Sequence, residues 1–148
     1  MRNRDDLLFP LSEYERRLND LRQRMEVNGL DAVIITTPEN IFYLSGFESP
    51  GHYYFNSLVV PLRGEPFMSS RLLEASGIEA LTWVELLRPY EDIQDPMQVL
   101  GAALVEFGLS QKRIGFEEDC WFFTAVQQKR LFANCPAATL LNRTMKSI

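Results

Sequence analysis

The run Ala32-Val-Ile-Ile35, set between Gly29 and Thr37-Pro38, constrains this chain more than any other stretch. It is wholly apolar, rich in β-branched residues and too short for an independent helix, which marks a strand covered on both faces. Such a strand needs helical layers above and below it, and its flanks supply the first of them. Upstream, Tyr14, Leu18, Leu21 and Met25 fall on one stripe of a helix that Gly29 stops in the left-handed conformation. Ser12-Glu-Tyr-Glu15 reads as a capping box at the start of that helix. Downstream, Thr37 stands as N-cap and Pro38 as first residue of a short helix with Ile41 and Leu44 inward and Gly46 at its end.

The same grammar continues along the chain. Phe55 to Pro61 reads as a strand, Leu62-Arg-Gly-Glu65 as a turn, and Pro66 to Ser70 as its antiparallel partner. A short helix over about Arg71–Ile78 and a strand over Leu81–Leu86 follow. Asp95-Pro96 opens a helix with Met97, Leu100, Leu104 and Phe107 on its apolar stripe, closed by Gly108. Arg113–Glu117 is a strand, Trp121–Phe132 a helix and Ala138–Leu141 a last strand. The expectation is an α/β layered domain with a mixed five- or six-stranded sheet and helices on both faces, spanning residues 1–142. Residues 143–148 lose periodicity and read as the start of a linker.

A chain of 148 residues with net charge −5 is the size of one domain and has the wrong balance for a nucleic-acid binder. Arg16, Arg17, Arg22 and Arg24 are interspersed with Glu13, Glu15, Asp20 and Glu26, the pattern of a solvated helix face. Cys120 and Cys135 lack metal-type spacing, and no window carries the roughly 20 apolar residues of a membrane span. With no apolar core in the first residues to serve as a leader, the expectation is a cytoplasmic protein with reduced thiols and neither nucleic-acid nor membrane partners.

Chemistry-bearing residues are sparse. His52 is the one histidine, so a His-rich zinc site is excluded and a Ser-His-Asp triad would have to use that residue without a nucleophile elbow. Thr-Thr-Pro-Glu-Asn40 follows the buried strand where a dinucleotide site would need glycines. Glu117-Glu-Asp119 is a carboxylate run that can hold a hard cation or cap the following helix, and Trp121-Phe-Phe123, at the start of an amphipathic helix, reads as core, with a ligand platform as the alternative. The loop after Gly46 gathers Ser49, Gly51, His52, Tyr53 and Tyr54, with Tyr43 just upstream. It is either a plain surface connection or a contact toward a substrate or partner.

Pro38-Glu-Asn-Ile-Phe-Tyr-Leu-Ser-Gly-Phe47 resembles the "N-x-x-Y-L-[ST]-G-F/Y" segment of the N-terminal domain of the creatinase, prolidase and Xaa-Pro aminopeptidase family, carried here by Asn40, Tyr43, Leu44, Ser45, Gly46 and Phe47. Ser70-Arg71-Leu-Leu-Glu74 is similar to the family's arginine-containing helix after the hairpin, Ile114-Gly-Phe-Glu117 to its "I-G-x-E" strand, and Arg143-Thr-Met-Lys-Ser147 to its "R-x-x-K-S" segment.

The resemblance implies a non-catalytic domain of a metallopeptidase-like or C–N hydrolase enzyme, such as an Xaa-Pro dipeptidase. Hydrolysis and a pair of divalent metal ions would belong to an absent C-terminal domain, with no metal or cofactor in this chain. It also implies a homodimer in which the loop Glu48–Phe55 reaches the neighbouring subunit's substrate pocket. No arginine lies within Glu48–Phe55, so the carboxylate clamp of a creatinase is not matched. The alternative is a free-standing protein-interaction or small-ligand-binding α/β module, the latter with its pocket at the strand ends near Thr36-Thr37.

Overall fold

The computed structural model describes residues 1–117 and 120–142. Its elements are α1 (Leu11–Val27), β1 (Ala32–Ile35), α2 (Pro38–Ser45), β2 (Ser57–Pro61), β3 (Phe67–Ser69), α3 (Ala75–Leu81), β4 (Leu86–Leu87), α4 (Pro96–Glu106), β5 (Arg113–Phe116), α5 (Ala125–Asn134) and β6 (Thr139–Asn142). A 3-10 turn, Leu72–Glu74, leads into α3. The six strands form one mixed sheet in the order β4-β3-β2-β1-β5-β6. β1 is antiparallel to β2 and parallel to β5.

Every residue of β1 is buried, and alternate side chains enter two separate cores. Val33 and Ile35 pack with Tyr14, Leu18, Leu21 and Met25 of α1 and with Ile41 and Leu44 of α2. Ala32 and Ile34 pack with Met97, Leu100 and Leu104 of α4 and with Leu131 of α5. Helices therefore cover both faces, as a doubly buried strand demands.

The ends of α1 show how local chemistry and tertiary packing divide the work. Its C-terminus is a Schellman motif: Gly29, at φ 64°, donates to the Glu26 carbonyl, and Leu30 to that of Met25. Its N-terminus differs from the expected capping box. The helix starts two residues earlier, after Pro10, and its N-cap makes no side-chain bond. Ser12 is thus already inside the first turn.

The arginine-rich face of α1 is also not simply solvated. Arg17 is 9% exposed, donates to the Tyr43 carbonyl at 2.7 Å, and lies over the rings of Phe9 and Tyr43. Arg22 donates to the carbonyls of Pro61 and Gly64.

Two further boundaries move. The expected strand over Leu81–Leu86 is instead the end of α3, an irregular turn and the two-residue β4. The Thr82 hydroxyl donates back to the Ile78 carbonyl and accepts from the Val84 N–H, while Trp83 is fully buried with its indole N–H on the Leu44 carbonyl at 3.0 Å. These ties hold residues 82–84 against α2 and α3 rather than in the sheet. The helix expected from Trp121 begins only at Ala125, behind a capping box in which Thr124 and Gln127 exchange backbone bonds.

Gly46 ends α2 at φ 81°, and a Cβ there would sit 2.7 Å from the Tyr14 hydroxyl oxygen and 3.3 Å from the Leu81 carbonyl oxygen. Gly108 ends α4 at φ 71° with no atom within 4 Å of such a Cβ. Gly108→Ala is expected to cost about 1 kcal/mol through backbone conformation, whereas Gly46→Ala adds a steric clash and is expected to cost about 2–4 kcal/mol. Urea denaturation of both variants measures the difference.

Candidate functional site: the cavity at the end of the central strand

The chain leaves β1 at Thr36 and turns at once into α2, so the first N–H groups of that helix need acceptors. Thr37 occupies the N-cap position but its hydroxyl makes no capping bond. The acceptor is Glu117, which follows β5. Parallel pairing sets Ile34 opposite Phe116, so the next residue of β5 arrives beside the end of β1. Glu117 is 7% exposed, and its Oε2 accepts from the N–H of Thr36 at 2.6 Å and of Thr37 at 2.7 Å. Its Oε1 accepts from the Asn40 amide. A carboxylate here meets both the free N–H groups and the positive end of α2.

Gly46 then releases the chain into the loop 48–55, which is held from the α3 side. Ser49 donates to Glu74 Oε2 at 2.8 Å and accepts from the Gly51 N–H at 2.9 Å. A Cβ at Gly51 would fall 2.6 Å from Glu74 Oε1, so a larger residue would push that carboxylate away. Arg71 lies 4.0 Å from the centroid of the Tyr54 ring and pairs through two nitrogens with Asp92. That pairing raises the Arg71 pKa and holds the Asp92 carboxyl below its usual range. At the far end, buried Asn56 donates to the Tyr54 carbonyl at 3.2 Å, and the Tyr90 hydroxyl donates to the Phe55 carbonyl at 2.7 Å. Burial pushes the Tyr90 phenol from its ordinary 10.0 up to about 12.

Between α2, this loop and Phe122 lies a cavity of about 300 Å³. Thr36, Ile41 and Asn56 line it from the sheet and α2, and Phe42, Phe47 and Phe122 add aromatic walls. Glu39, Glu48, Ser49, His52 and Tyr54 reach it from the rim. The His52 ring lies 4.7 Å from that of Tyr53 and 6.3 Å from that of Phe122.

The candidates named from sequence thus separate into three groups. Ser49, His52 and Tyr54 line the cavity directly, Gly51 shapes the loop behind them, and Tyr53 is 81% exposed against His52. Asn40, Ser45 and Gly46 hold the frame: Ser45 donates to the Ile41 carbonyl and accepts from the Phe47 N–H. Tyr43 and Leu44 turn elsewhere, Tyr43 onto Arg17 and Leu44 into the core under Trp83.

The aromatic run also divides, with Phe123 in the core, Phe122 on the cavity and Trp121 91% exposed. Within the carboxylate run, Glu117 does not cap the following helix. Glu117 caps α2, and Glu118 and Asp119 lie outside the described residues, as does the segment 143–148. Among the described residues no group of three His, Cys, Asp or Glu is placed to hold a metal ion, and no helix is long and apolar enough to cross a membrane.

The family model for the creatinase/prolidase N-terminal domain matches residues 17–144. The chain belongs to that family. Among solved structures, a proline dipeptidase from Streptococcus pneumoniae superposes with a TM-score of 0.73 at 26% identity, covering 86% of this chain and 91% of that one. Dipeptidase PepE from Mycobacterium ulcerans shares the fold, with a TM-score of 0.70 at 23% identity over 90% of this creatinase/prolidase-type chain and 35% of that one. Ectoine hydrolase of Halomonas elongata is 27% identical over 141 residues, 89% of this chain and 35% of that protein. A putative dipeptidase of Bacillus subtilis is 26% identical over 112 residues, 76% and 31% of the two lengths. The chain therefore spans about a third of the length of the curated relatives it matches.

Removing the Glu117 carboxylate leaves the N–H groups of Thr36 and Thr37 without acceptors. Glu117→Ala is expected to cost about 2–4 kcal/mol in urea denaturation, and to speed amide exchange selectively at Thr36, Thr37 and Asn40.

Tyr90 offers a pH signature. Because its folded pKa is raised, its contribution is complete below pH 10 and declines as pH rises toward about 12, where the folded protein too releases the proton. Tyr90→Phe is expected to lose about 1 kcal/mol at neutral pH and to show a flatter fall in stability above pH 10 than the parent. Denaturation midpoints against pH measure both.

Proposed function

We propose that this chain is the non-catalytic N-terminal domain of an Xaa-Pro dipeptidase-type or related C–N hydrolase. In that reading it acts in a homodimer, where its loop 48–55 completes the substrate pocket of the neighbouring subunit. Hydrolysis, and the two divalent ions it employs, belong to the enzyme's own C-terminal domain. In that reading this chain contributes contact and exclusion of water.

The observation that carries the proposal is the loop itself. It is clamped at Ser49, Tyr54 and Phe55 by three separate bonds or stacks, yet it presents the exposed Tyr53 and His52 beside a cavity. A loop that merely connects α2 to β2 has no need of such anchoring. A rigid arm that carries aromatic tips does, because excluding water from a neighbouring site requires a fixed edge. The fully exposed ring of Trp121, next in sequence to the cavity residue Phe122, adds apolar surface suited to being covered. Family membership and the relatives named as peptidases or hydrolases favour this role over a free-standing interaction module.

The test uses the complete parent enzyme with Tyr53→Ala and His52→Ala. Loss of the loop tips is expected to lower kcat/KM by about tenfold or more, with metal content and unfolding midpoint unchanged. Unaltered kcat/KM for both variants would remove the loop from the active site.

A further inference from the structure

The charge and shape of the cavity restrict what can enter it. Its walls include Phe42, Phe47 and Phe122, with Tyr54 at the rim. Two carboxylates, Glu39 and Glu48, also line it, and neither makes a hydrogen bond or ion pair among the described residues. Among the described residues, three other nearby charges are already engaged. Glu74 accepts from Ser49, Glu117 caps α2, and the Arg71 guanidinium is held by Asp92 against the outer Tyr54 ring. Among the described residues no lysine or arginine lines the cavity, and His52 is the one cationisable group there.

A cavity with aromatic faces and uncompensated carboxylates attracts a nitrogen cation on an apolar body, through ring quadrupoles and simple Coulomb attraction. It repels a carboxylate for the same reasons. We propose that this cavity is a subsite for an organic cation, an amidinium or substituted ammonium group with an adjoining apolar face. Glu39 and Glu48 set the sign of the charge, and the phenylalanine walls receive the carbon framework. The inference rests on the proposed function in one respect, that the cavity opens toward the substrate. It then assigns the positively charged part of that substrate, rather than a carboxylate, to this domain.

Three probes of one shape and different charge test it on the 148-residue chain at low ionic strength: benzamidinium, benzamide and benzoate. Amide and side-chain NMR shifts of Phe42, Glu48, His52 and Phe122 report occupancy. Benzamidinium is expected to bind about fivefold or more tightly than benzamide, with benzoate not binding. The double variant Glu39→Gln/Glu48→Gln is expected to reduce benzamidinium to the level of benzamide. Glu39 and Glu48 are both exposed, so the fold is retained in that variant.

Benzoate binding as well as benzamidinium, a double variant that keeps full benzamidinium affinity, or no benzamidinium binding at all would each overturn the assignment. Those results would leave any effect of Tyr53→Ala on the parent enzyme untouched. Conversely, cation binding by this chain alongside catalytically silent loop variants would overturn the pocket-completion role alone.

Discussion

Burial of β1 on both faces is the constraint from which the rest of the molecule follows. Four residues feed two cores, so α1, α2 and α3 must occupy one side of the sheet and α4 and α5 the other. With both faces covered, the strand can present chemistry only at its end. The chain leaves there at Thr36 into a helix whose free N–H groups require a buried acceptor, and the parallel neighbour β5 delivers Glu117 to them. One carboxylate thus joins the two halves of the sheet to α2, and α2 in turn carries the cavity wall and Gly46.

From that anchor the loop is aimed by successive contacts, each short-range and each from a different element. Gly46 has room for no Cβ between Tyr14 and Leu81, Glu74 fastens Ser49, Arg71 stacks on Tyr54, and Tyr90 and Asn56 hold the loop's return. The hairpin β2–β3 and the turn before α3 bring Arg71 and Glu74 to that position. A family resemblance in those separate segments, from Asn40 to Glu117, is in physical terms one cluster around one loop.

Much of this was legible in the sequence because the signals are local. The apolar run of β1, the stripe of α1, the proline and glycine that bracket α2, and Asp95, whose side chain does accept from the Met97 N–H, all act within a turn or two of chain. The parts that were not legible depend on strand order. Nothing in Ile114-Gly-Phe-Glu117 says that β5 lies beside β1, so Glu117 read as a cap for the helix after it rather than for α2. Trp83 sits in an alternating apolar stretch that mimics a strand, and only its bond to Leu44 shows why it is a turn. Ser12 and Glu15 have the spacing of a capping box, but Pro10 fixes an earlier start. The loop residues Ser49, His52 and Tyr54 were identifiable as a group, whereas Tyr43 faces Arg17 because helical phase places it on the α1 side.

In the proposed role this domain completes a pocket in its neighbour while catalysis stays in the C-terminal domain. Mixed dimers of the complete parent enzyme test it most directly. One subunit carries an intact loop and a disabled C-terminal domain, and the other an intact C-terminal domain with Tyr53 and His52 replaced by alanine. If the loop acts across the dimer, random pairing of the disabled and the loop-impaired subunits restores roughly a quarter of the parent activity, since half the dimers hold one complete site. If the mixture stays as inactive as its components, the loop does not serve the neighbouring subunit and the proposed role is wrong.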